Sequence, residues 1–239
     1  MKGTKKMGML VLLAVVFAIS SMTVFAADPL GAENITVESS STRDGASGFN
    51  VSAIAGNVTE LTIEAISVTQ FWQGYYGNVT GTIVLANSNN DTLYDWSVST
   101  ATGEIYASTA TSVTWASLVC ADDTSMNAAE AAFGMDGSEV DGINETFATE
   151  PGNEAFYAGS TSVSNCPEVN LHDENGAATD GVFDNVLLSD GASLVFVSIL
   201  HDDTTGFDNR SHDFQLIVPE NGTNGNTDTT PYYFWVELA

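Results

Sequence analysis

The residues best equipped for chemistry stand in one short run. His201-Asp202-Asp203 is followed by Asp208 and by His212-Asp213, so carboxylates and imidazoles gather around a single loop. Calcium takes clusters of about six to eight such oxygens. The order Asp202-Asp203-Thr204-Thr205-Gly206 nevertheless lacks the alternate ligands and closing Glu of an EF-hand. A polar turn is the plainer reading, with Asp202, Asp203 and Asp208 kept as candidate calcium ligands. Asp173-Glu-Asn-Gly176 with Asp180, and Asp136 with Glu139 and Asp141, are acidic loops of the same kind.

A second group is aromatic. Trp72, Tyr75 and Tyr76 stand beside Gly74 and Gly77, and such rings could stack on a sugar. Aromatics next to glycines in a β corner more often fill a core. Catalytic signatures are missing: there is no Gly-x-Ser-x-Gly elbow, no His-Glu-x-x-His and no phosphate loop. With 31 acidic residues, any pair of carboxylates arises by chance. The chain reads as non-catalytic, with no cofactor expected beyond the candidate calcium.

Cys120 and Cys166 are the only cysteines. Two thiolates alone do not make a metal site, and His172 is the only histidine placed to join them. An even count behind a secretory signal reads as one disulfide. Closing that loop stabilises the fold by about 4 kcal/mol in the chain-entropy account. Asn-x-Ser/Thr sequons occur at eight of the eighteen asparagines. Asn34, Asn90 and Asn221 fall in expected loops and are the best glycosylation candidates.

The elements that must position these residues begin with a leader. Lys2, Lys5 and Lys6 precede an apolar stretch from Met9 to Ile19, and Val24-Phe25-Ala26 supplies a small-residue exit. Residues 1–26 read as a secretory signal, with Asp28-Pro29 ending any helix. Retained, the stretch would sit near the lower length limit for a membrane anchor. All 31 acidic residues lie beyond it, against Arg43 and Arg210 alone. Such a surface excludes nucleic acid and anionic membrane as partners. Spread evenly, the charges stand about 18 Å apart, beyond a Debye length of about 10 Å at 0.1 M salt. Acidity therefore permits a life in salt without requiring one.

Residues 27–48 are small and polar and read as a flexible lead-in, with one plausible strand at Asn34 to Glu38. A single domain is expected over 49–239. Phe49 to Ala55 alternates before a Gly56-Asn57 turn. Leu61 to Val68 and Val79 to Leu85 alternate on either side of Phe71 to Gly77, which predicts a β-hairpin with an aromatic corner. Further strands are expected at 93–99, 103–108, 112–120, 182–188, 193–200, 212–219 and 231–238. Between Cys120 and Cys166 the alternation stops, and Thr124-Ser125 before Met126 to Phe133 reads as a capped short helix. The fold class is all-β: an antiparallel sandwich of nine or ten strands carrying a disulfide-bracketed loop and short-helix insert over 121–165.

WQGYYGNVTGTIVL, then LYDWSVSTATGEIYAS, Asn165-Cys166-Pro167, VFDNVLLSDG, DFQLIV and a final YYFWVEL resemble a group of uncharacterised secreted archaeal proteins. The resemblance covers most of the chain after the leader. It implies an archaeal cell-surface or extracellular protein and carries no reaction with it. The expectation is a secreted, glycosylated structural protein of the envelope or of an extracellular filament. Its partners would be other surface proteins, glycans or further copies of itself. The second reading is a carbohydrate-binding or adhesive module that uses residues 71–76.

Overall fold

The computed structural model describes residues 27–148, 153–222 and 229–238. The leader expected over 1–26 lies outside them. In chain order the early strands are β1 (Leu30–Gly31), β2 (Trp72–Gly77), β3 (Thr82–Ala86), β4 (Thr92–Ser97), β5 (Gly103–Ser108) and β6 (Val119–Cys120). Helices α1 (Asp123–Phe133) and α2 (Ile143–Thr146) follow, then β7 (Phe156–Ala158), β8 (Thr161–Val163) and β9 (Glu168–Asn170). The rest are β10 (Asp184–Ser189), β11 (Leu194–Ile199), β12 (Thr204–Thr205), β13 (Ser211–His212), β14 (Phe214–Pro219) and β15 (Tyr233–Leu238).

Seven strands form one antiparallel sheet in the order β1-β15-β5-β11-β10-β6, with β9 also on β10. β9 pairs with Asp184 to Val186 and β6 with Leu188 and Ser189, so the two share one edge of β10. The disulfide Cys120–Cys166 ties these edge pieces together, Cα to Cα 4.9 Å across 46 residues of sequence. Val186, Leu187 and Leu188 are fully buried, as are Val195 and Val197. β10 and β11 are covered on both faces, which is why they read as continuous apolar runs without alternation. One face meets Leu216, Val218, Met126, Ile143 and Phe147; the other meets Tyr106, Trp115, Ala158 and Val163.

The facing layer is narrow: β14 pairs with β2 alone. Buried side chains of the large sheet satisfy the other edge of β14. Asn185 Nδ2 and Ser198 Oγ both donate to the Gln215 carbonyl, at 2.7 and 2.8 Å, and Asn185 Oδ1 accepts from Ile217 N at 2.9 Å. A buried polar group needs such a partner, and here the partners lock one layer to the other. The antiparallel β fold and the disulfide are as expected from the sequence.

The central hairpin is not. Trp72 to Gly77 forms no corner; it is strand β2, registered from Trp72↔Pro219 to Gly77↔Phe214. Its former partners separate. Residues 61–68 form no strand, and β3 pairs with β4. Thr69 explains the departure, because its hydroxyl bonds Asp141 Oδ2 at 2.5 Å and accepts from Phe71 N at 3.2 Å, while Trp72 Nε1 donates to the Asp141 carbonyl at 2.6 Å. These bonds root the chain at 69–72 and turn it out of the domain. The strands expected at 34–38 and 49–55 are likewise absent, and residues 33–70 are exposed throughout. Leu30–Gly31 makes the N-terminal pairing instead, on β15. Residues 112–120 hold a 3-10 turn at Trp115–Ser117 and two strand residues rather than one long strand. α1 starts earlier than expected, because Asp122 rather than Thr124 or Ser125 is its cap: Asp122 accepts from Ser125 N at 2.8 Å and donates its own N–H to Ser125 Oγ at 2.9 Å.

Candidate functional site

β2 separates the three candidate aromatics. Trp72 lies 6.1 Å from Phe147 against the first core. Tyr75 and Tyr76 are consecutive, so a strand sends them to opposite faces. Tyr75 meets Phe234 edge-on at 5.4 Å, and Tyr76 packs 5.0 Å from Phe207 and 4.8 Å from His212. Each ring is used by a different neighbour, and the three share no stacking plane.

The acidic loop is also divided among separate duties. Asp202 Oδ1 accepts from Ala101 N at 2.8 Å. Asp203 sits in the left-handed region, φ 50°, and donates its N–H to Asp213 Oδ1 at 3.0 Å. Asp213 Oδ2 accepts from Val79 N at 2.7 Å, tying this loop to the chain after β2. Asp208 accepts from Arg210 Nε at 2.6 Å and pairs with His212 Nε2 at 2.8 Å. Desolvation is the largest single influence and raises the Asp208 carboxyl, but the bonds from His212 and Arg210 together outweigh it and hold the group at about 2. Among the described residues no group of three or more His, Cys, Asp or Glu is arranged to hold a metal ion.

The perturbed acids lie elsewhere and were missed by the sequence reading. β5 and β15 place Glu104 directly opposite Glu237, and like charges so placed repel. Burial and the Glu237 charge push Glu104 up to about 7, against an opposing bond from Tyr106. Tyr106 donates its hydroxyl to Glu237 Oε2 at 3.1 Å, and Gly159 N donates to the same oxygen at 2.8 Å. Glu104 therefore keeps its proton to a higher pH than an ordinary glutamate. On β9, burial and the charges of Asp184 and Asp180 likewise push Glu168 up to about 7.

A surface hollow of about 610 Å³ lies beside the disulfide, lined by Cys120, Met126, Asn127, Asn144, Phe147 and Asn165 among others. Its one carboxylate, Asp123, faces no nucleophile or base in that lining. No described helix is long and apolar enough to cross a membrane. Asn34, Asn90 and Asn221 are exposed, and Asn90 occupies a left-handed position, φ 65°, at the β3–β4 turn. The most distinctive surface is apolar. β3 and β4 pair only with each other and stand off the core. Their register puts Ile83 opposite Trp96 and Leu85 opposite Tyr94, so four apolar side chains share a face and all are about half exposed. Phe49, Val51, Ile63 and Ile66 in the 33–70 arm are more exposed still. No protein-family profile, curated protein or solved structure matches this chain.

Proposed function

We propose that the chain is a secreted, non-catalytic structural subunit that works by self-assembly at a cell surface or in an extracellular filament. The observation that carries this reading is the pair of exposed apolar segments that pack on nothing in one copy, the 33–70 arm and the β3–β4 hairpin. Isolated two-stranded hairpins are marginal in water, and contiguous exposed apolar strands are surfaces that other chains cover. The disulfide supports an oxidising destination. The sequons at Asn57 and Asn90 lie at the two projecting turns, where an attached glycan would point away from the domain.

The test is sedimentation of residues 27–239, disulfide intact, across protein concentration and from 0.1 to 3 M sodium chloride, with electron microscopy of the pellet. Ordered polymer is the expected result. A chain that stays monomeric under every condition overturns the reading.

A further inference from the structure

We infer that the arm is a strand-exchange element, and that residues 49–68 of one copy cover the β3–β4 hairpin of a second copy. This rests on the self-assembly reading and names its contact. The arm is a loop with two roots. At one end Leu30 and Gly31 pair with Val236 and Trp235, and Ala32 N donates to the Phe234 carbonyl at 3.1 Å. At the other, Thr69 and Trp72 are pinned on Asp141. Between the roots one backbone bond closes a turn, Asn57 N to the Ile54 carbonyl at 3.2 Å, with Gly56 at φ 85° as that turn requires. The flanking runs alternate, so Val51 and Ala53 fall on one face while Asn50 and Ser52 fall on the other. The arm is therefore one turn between alternating runs that form no ladder in a single copy and present an apolar side only once extended beside a partner.

The second hairpin offers the complement. Ile83, Leu85, Tyr94 and Trp96 form its apolar face, Tyr94 and Trp96 in ring contact at 4.9 Å. Both outer edges of β3 and β4 are unpaired. Arm and hairpin belong to one chain, yet in a single copy all of 33–70 and all of 82–97 apart from their own turn contacts stay exposed. Half of the arm, about 18 residues, spans about 60 Å when extended. A domain of this size has a radius of gyration of about 16 Å, so the arm reaches well past its own molecule. Eight exposed apolar side chains of the arm and the four on that hairpin face, at about 80 Å² each, bury about 960 Å², close to what a specific interface needs. Donor and acceptor are different patches on one chain, so the contact is head-to-tail and propagates unless the rotation between copies closes a ring. Strand addition of this kind builds open polymers.

Cysteine pairing tests it in the full mature protein. One chain carries Ile63→Cys and another Ile83→Cys; they are mixed, allowed to assemble and oxidised, with Tyr157→Cys in place of Ile83→Cys as control. The expected product is the mixed dimer, lost with the control chain. Sedimenting polymer without that dimer overturns the strand exchange and leaves the structural reading standing. Absence of polymer overturns both. As a second variant, Leu85→Lys lies outside both cores, so it should abolish polymer with an unchanged melting temperature; polymer that survives it also sinks the proposal.

Discussion

At the scale of residues the molecule is a set of carboxylates in contrasting settings. Glu104 and Glu168 bind a proton up to about pH 7 when folded, whereas an ordinary glutamate releases it near 4.3. Between those values the native state holds more protons than the unfolded chain, so stability must fall as pH rises through that window. For Glu104 the effect is on the order of 2 kcal/mol. Thermal denaturation at fixed salt should therefore give a higher melting temperature at pH 5 than at pH 8. Glu104→Gln, which keeps the neutral partner for Glu237, should flatten that slope; an unchanged slope in the variant would show that Glu104 titrates normally. Asp208 has the opposite sign: held at about 2, it contributes above its ordinary value and is lost only in strong acid. The loop around it is braced by Arg210, His212 and backbone amides, and on that bracing sodium chloride and calcium chloride at equal ionic strength should raise the melting temperature equally. A larger rise with calcium that chelation reverses would restore Asp202, Asp203 and Asp208 as ligands.

At the scale of elements, two local devices carry measurable stability. The Asp122–Ser125 capping box opens α1, and Asp122→Ala should cost about 1 kcal/mol in denaturant unfolding. Cys120→Ser with Cys166→Ser should cost about 4 kcal/mol, because both β6 and the start of β9 lose their tie along β10. Intact mass after alkylation should meanwhile find no free thiol in the unreduced wild type. β10, β11, β14 and β15 were legible in the sequence because their apolar runs are long and their turns plain. The cysteine pair was legible by count. What misled was periodicity at 49–68: alternation reports that a segment can be a strand, and says nothing of which molecule supplies its neighbour. The aromatic corner misled for another reason. Gly74 and Gly77 looked like turn residues, yet they sit opposite Ile217 and Phe214 in a ladder. The buried glutamates were invisible because only the β5–β15 register brings Glu104 to Glu237.

At the scale of the whole molecule, the chain divides into a core held by two hydrophobic clusters and projections that contribute nothing to it. Limited proteolysis should read this division directly. Arg43 and Arg210 are the only trypsin sites after the leader, and Arg210 is ion-paired within its loop. Trypsin should first cut after Arg43, leaving the melting temperature of the core unchanged. Chymotrypsin should cut monomer at Phe49, which is wholly exposed, and assembly should slow that cleavage; equal rates in monomer and polymer would place the arm outside any contact.

The two roots of the arm are unequal in a way that matters once tension acts on an assembled thread. At the N-terminal root only two residues pair with β15, and such a short pairing can be peeled open a residue at a time. At the other root the pull runs through Thr69 and Trp72 into six consecutive pairs between β2 and β14, which must slide together along the strand axis. The first root then behaves as a fuse, yielding slack early at low force, while the second is the cable end that bears the load. In single-molecule pulling through residue 60, a small early lengthening ahead of the main rupture is the signature, and its disappearance when Leu30 and Gly31 are removed identifies the fuse.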